Sequence, residues 1–333
     1  MLGDPKRAGT LFSEAEAQFF SIGERWGAAA AIYSQGLAVG SMGDIDRQRV
    51  LFERSLAESR ALGDRIQASW ALISLGKHEL ERGDLARART LLEEALATAR
   101  DFRFVLTEAE ALLSLAGVTG EIGEADLTTT LLRESEEKYR ELGHPVYLAD
   151  ALNSFGYLAL RNGNHERARR LFEEAVQILR DLGASRAVAG FLQSLSDAYR
   201  ASGDYKGAAV RCREGLVLAQ ETENTRAVAA CMNGLAGLAV EIGRHEEAAR
   251  LFGAVDTMRK TVSPLGSRYE DERQSRDMAA VRDALGAEFE FEARSAGQAL
   301  PLEQAVREAL ALADDIVRDS ARSPLLHSAG ETS

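Results

Sequence analysis

Residues 152–175 read LNSFGYLALRNGNHERARRLFEEA. Around Gly163 the apolar and small residues fall at three- and four-residue steps: Leu152, Phe155 and Gly156 before it, Ala168, Phe172 and Ala175 after it. That spacing describes two amphipathic helices joined at a glycine. Gly163-Asn164 supplies both a stop and a start. Glycine accepts the left-handed backbone that closes one helix, and an asparagine side chain can cap the next.

The same joint recurs along the chain. Gly3, Gly43, Gly83, Gly123, Gly163, Gly203 and Gly243 stand 40 residues apart. Polar cap residues follow at Asp4, Asp44, Asp84, Glu124, Asn164 and Asp204, with Arg244 as the exception. After each joint comes a small column, Ala8, Ala88, Ala168, Ala208 and Ala248, then a bulky one, Phe12, Phe52, Leu92, Leu132, Phe172, Cys212 and Phe252. Before each joint runs Ile32, Leu72, Leu112, Leu152, Leu192 and Met232, with small residues four further on, as at Gly36, Gly76 and Gly156. A fixed period of this size marks a solenoid of stacked helical pairs. First helices are expected near 24–40, 64–81, 104–121, 144–161, 184–201 and 224–241.

The run Leu152, Phe155-Gly156, Ala168, Phe172, Ala175 is similar to the tetratricopeptide consensus. The 40-residue unit is longer than the usual repeat of about 34. Repeats of this length resemble the MalT-like region of large ATPase-containing bacterial transcriptional regulators of the LuxR type. The stretches Arg250–Ala254, Ala284–Gly286 and Ala299–Ala305 look like the closing segment of those proteins. The resemblance implies an all-α, right-handed superhelix with a helical C-terminal cap. It also implies a regulatory module that senses signals or assembles. In tetratricopeptide arrays the first helices line a concave groove, so the groove column here would be Tyr33, Ile73, Leu113, Asn153, Gln193 and Asn233. Tyr157, Arg186, Arg200 and Arg226 stand close to its second half. Amides can bond both donors and acceptors of an extended backbone, and arginines suit a carboxylate. A protein or peptide segment with an acidic or carboxylate end is the expected partner.

Composition narrows the function. The 333 residues are 45% apolar and carry a net charge of −12. That charge argues against direct nucleic-acid binding, which needs a basic face. No basic recognition helix is visible in residues 244–333, where a regulator of this type often keeps its DNA-binding domain. The sequence has neither a membrane-spanning apolar run nor a signal peptide, so no membrane contact and a cytoplasmic location are expected. Cys212 and Cys231 are read as buried, reduced thiols.

No chemistry-bearing constellation emerges. Gly76-Lys77 lacks the rest of a phosphate loop. The pairs Glu93-Glu94, Glu173-Glu174 and Glu246-Glu247 read as a solvated face. His165 and His245 lie two repeats apart, roughly 20 Å at the usual helix spacing, too far to share a metal. Cofactor, metal and catalytic residues are all expected to be none.

The domain reading is an orphan second helix over 1–22, six hairpins over 23–260, a helical cap over 261–320 with a loop at 261–267, and a disordered tail over 321–333. Leu11, Phe12, Phe19, Phe20 and Ile22 make the first helix an apolar end. Leaving roughly 300 Å² bare there would forgo about 7 kcal/mol. The expectation is therefore a C-terminal piece of a longer, ATPase-bearing chain, or self-association through this end. The functional expectation is a non-catalytic protein- or peptide-binding module of a bacterial transcriptional regulator. The competing class is a stand-alone scaffold or adaptor, and an enzyme is the remote alternative.

Overall fold

A computed structural model describes residues 5–259 and 268–322. The expected loop at 261–267, residues 323–333 of the expected tail, and Gly3 and Asp4 lie outside these residues, while 321 and 322, read as part of that tail, are helical. Among the described residues stand sixteen α-helices and no strand. The fold is the expected all-α repeat class. The helices are α1 (Pro5–Ser21), α2 (Arg25–Gly40), α3 (Ile45–Leu62), α4 (Arg65–Arg82), α5 (Leu85–Phe102), α6 (Val105–Ile122), α7 (Ala125–Leu142) and α8 (Pro145–Arg161). They continue as α9 (His165–Asp181), α10 (Ser185–Ala201), α11 (Tyr205–Glu221), α12 (Thr225–Glu241), α13 (His245–Arg259), α14 (Arg268–Leu285), α15 (Ala287–Gln298) and α16 (Leu302–Arg322).

The joints form for the reasons legible in the sequence. Gly163 takes φ 71°, and ladder glycines Gly43 to Gly243 are likewise left-handed. Asp44, Asp84, Asn164 and Asp204 each accept a hydrogen bond from the backbone N–H three residues on, which closes the first turn of the next helix. At the other joint, from each second helix to the next first helix, Gly23, Gly63, Gly143 and Gly183 are left-handed, and Arg103 and Glu223 hold that position in the remaining two.

The chain divides into two compact units, Met1–Ala151 and Leu152–Ser333. In the first, α1 packs on α2, and α2 with α3, α4 with α5 and α6 with α7 form hairpins around Ile32, Phe52, Leu72, Leu92 and Leu112. Leu11, Phe20 and Ile22 of the first helix and its turn remain exposed. In the second, α10 with α11 and α12 with α13 form hairpins around Phe172, Leu192, Cys212, Met232 and Phe252. The C-terminal helices extend that core. Ala309, Leu312, Ala313 and Ile316 of α16 join the apolar cluster of α11–α13, and Val281 of α14 enters it.

Consecutive first helices pack on one another: α2 on α4 and α4 on α6 in the first unit, α10 on α12 in the second. Consecutive second helices make at most marginal contact within each unit. The closer-packed side of each stack is thus built from first helices. Small residues there permit the approach, as where Ser74 meets Tyr33. Both cysteines are buried and free, and burial pushes the Cys212 thiol up to about 12. No described helix is long and apolar enough to cross a membrane.

Candidate functional site

In the second unit the first-helix face carries a connected polar cluster. The Tyr157 hydroxyl lies 2.9 Å from Ser194 Oγ and donates to Gln193 Oε1 at 3.3 Å. Gln193 Nε2 donates to Asp197 Oδ2 at 2.7 Å. Asp197 in turn forms a buried ion pair with Arg273 of α14. Arg200, one turn further along α10, donates to both carboxylate oxygens of Asp277, at 2.6 and 2.9 Å, and to Glu241 at 2.8 Å. Burial raises the Asp197 pKa, with Arg273 and Arg200 opposing.

The cluster joins α10 and α12 to α14. A Cβ at Gly237 would come within 2.3 Å of Arg200 Nη1 and 2.8 Å of Asp277 Oδ2, so the bare backbone there makes room for the ion pair. An open cleft of about 450 Å³ remains beside α14, bordered by His165, Arg200, Glu241 and Arg276.

The structure thus brings Tyr157, Gln193 and Arg200 together. Asn153 and Asn233 occupy the same repeat column, and each keeps a buried Oδ1 without a hydrogen-bond partner. Arg186 does not join the cluster. It donates to the Thr222 carbonyl at 2.6 Å and so ties the start of α10 to the α11–α12 joint. Arg226 holds the equivalent place on α12 and is exposed. Tyr33 belongs to the first unit, where its hydroxyl lies 3.0 Å from Ser74 Oγ. Arg200 is 8% exposed and its charge is met from within the chain.

Sequence reasoning missed Asp197, Glu241, Arg273 and Asp277. Asp197 was findable, because it follows the groove column by one turn. The α14 residues were not, because no repeat period sets where that helix lies. The paired glutamates sit on solvated faces: Glu94 pairs with Arg60, Glu93 with Arg89, and Glu247 with Arg244. No metal-binding cluster occurs among the described residues.

Fold and residue pattern define a tetratricopeptide-like helical-repeat protein. A tetratricopeptide repeat model matches residues 148–182, the hairpin around Gly163. No curated protein matches the sequence. Among solved structures, a Rap protein complexed with Competence and Sporulation Factor matches 87% of this chain and 76% of its own, with a TM-score of 0.61 and 12% identity. BtubC (BKLC) from P. vanneervenii matches over 67% and 93%, with a TM-score of 0.53 and 16% identity. The Rap conjugation gene regulator of plasmid pLS20, in complex with the Phr* peptide, matches over 90% and 79%, with a TM-score of 0.50 and 13% identity. At these identities the likeness is one of fold.

Proposed function

We propose that this chain is a non-catalytic module that holds a peptide or protein segment on its first-helix face, as the sensing and assembly part of a cytoplasmic bacterial transcriptional regulator. The observation that carries the reading is the pair Asn153 and Asn233. Both lie in one column of that face, and both keep an amide oxygen without a partner. A buried acceptor left unmade costs about 1–3 kcal/mol, which a backbone N–H of a bound segment would recover. The repeat sets the two amides on parallel helices, the arrangement an extended chain can bridge. The fold likeness to two Rap proteins whose structures hold a peptide or a factor supports the same reading. The exposed Leu11, Phe20 and Ile22 support self-association through α1 as the assembly route.

The test is a random library of peptides about 20 residues long, enough at about 3.3 Å per extended residue to follow several repeats, screened with the full chain. Selected peptides are then titrated against the Asn153→Ala/Asn233→Ala double variant. An affinity loss of about tenfold or more, at unchanged melting temperature, is expected, since tenfold is about 1.4 kcal/mol. Unchanged affinity with lowered melting would overturn the assignment.

A further inference from the structure

The first unit holds an opening that the cluster above does not use. It measures about 220 Å³ and lies between α2, α3 and α4, with Glu110 of α6 at its edge. Small-molecule sites commonly run to about 300–1,000 Å³. An opening of this size suits one side chain of a larger partner.

Its charges do not balance. Among its lining residues Lys77 is the one cation and faces the carboxylates Glu81 and Glu110, while Arg82 and Arg49 act on His78 from beyond the lining. Lys77 is already spent on Glu110 Oε1, whose other oxygen accepts the Tyr139 hydroxyl. Burial opposes ionisation of Glu110, but Lys77 and Tyr139 together hold its pKa below the usual range. Glu81 stands one turn after Lys77 and is exposed. The surrounding protein desolvates it and pushes its pKa up, with Lys77 only partly opposing. Such a carboxylate gains from meeting a second cation.

Two further features point to an occupant. His78 lines the opening, is 3% exposed, and has neither ring nitrogen hydrogen-bonded. Its repeat column otherwise holds Ala38, Val118, Leu158, Ala198 and Leu238. An apolar residue fits there in the other repeats, so the packing does not require histidine. Burial lowers the imidazole pKa and so favours the neutral ring, in which one nitrogen can accept a bond. Tyr33 and Trp70 wall the opening as half-buried rings, a surface for an alkyl stem and a cationic head.

We infer that this opening receives a lysine or arginine side chain of a bound peptide segment, with Tyr33 and Trp70 against its stem and Glu81 and His78 at its charged end. The inference rests on the peptide-binding reading and names the chemistry of the segment at the first unit.

The same library of long peptides tests it, read for residue preference by position. Lysine or arginine is expected to be enriched at one position. Three variants are then titrated with the selected peptides. Glu81→Lys is expected to lower affinity about tenfold or more, the range for one close charge pair. His78→Leu is expected to lower affinity without lowering the melting temperature, since leucine stands at this position in other repeats. Glu137→Lys makes the same charge change at an exposed site on α7 and is expected to bind as the parent does. Equal losses in both lysine variants would mean nonspecific attraction to a chain of net charge −12 and would overturn the inference. Peptides selected without a basic position would overturn it while leaving the peptide-binding reading intact. A library that yields no binder would sink both.

Discussion

A Cβ built on Gly156 would stand 2.4 Å from Cε1 of Phe172, and the same clash recurs at Gly36 with Phe52 and Gly76 with Leu92. Each glycine is the hollow that takes the large residue of the following helix. Gly156→Ala should therefore cost about 1–3 kcal/mol through overpacking, read as a shifted urea midpoint at constant slope. A cost under a few tenths would show that the hollow is not filled as described. These pairs of a glycine with a bulky apolar residue were legible in the sequence because both members keep the period. His78 was not, because a lone histidine in an apolar column carries no spacing signal. Burial lowers its pKa below the usual histidine value, with Arg82 and Arg49 adding and Glu79 opposing. The unfolded chain then binds a proton at higher pH than the folded one, so stability rises with pH. It should be full above about pH 7 and fall as the pH drops below about 6.5, the unfolded histidine value. His78→Leu should flatten that part of the profile, and an unchanged profile would contradict the assignment.

At the scale of elements, the C-terminal helices divide what sequence conveys from what it hides. The sequence reads a helical cap after the loop at 261–267, and α14, α15 and α16 stand there. Their packing was not readable, since it depends on contacts that do not repeat. Helices α13 and α15 cross with their backbones nearly touching. A Cβ on Gly297 would lie 1.9 Å from the Arg250 carbonyl oxygen, and one on Gly253 lies 2.0 Å from that of Arg294. Backbone cannot swing aside as a side chain can. Gly297→Ala should thus cost about 3 kcal/mol, the upper end for overpacking, and raise amide exchange in α15 first. The helix α14 is held by Val281 in the apolar cluster and by two buried ion pairs, Arg273 with Asp197 and Asp277 with Arg200. The side chains of Arg200 and Asp277 are 7% and 10% exposed. Removing one partner of such a pair typically costs about 3–5 kcal/mol. Asp277→Ala should accordingly loosen α14, seen as faster exchange over 272–285. Glu241→Ala should cost less than about 1 kcal/mol, because its carboxylate is solvent-exposed. Equal effects from the two variants would show that the buried Asp277 pair does not help to hold α14.

Over the whole molecule, one repeat yields two chemically distinct first-helix faces. In the second unit the face is polar, and Asp277 of α14 meets Arg200 there. In the first it is aromatic and acidic, with Glu81 and Glu110 against a single lysine. The fold was legible because the period repeats every core contact, so each helix pair reports on the others. The candidate site was only half legible. The groove column holds Asn153, Gln193 and Asn233, with Tyr157 one turn on, but the partners of Arg200 and Gln193 come partly from α14 and from residues outside the column. On the proposed function, the first helices form the surface that holds another chain. Amide exchange of the full protein, with and without the tightest library peptide, measures this directly. Added protection should concentrate in α2, α4, α6, α8, α10 and α12. Protection confined to α3, α5, α7, α9 and α11 would contradict it.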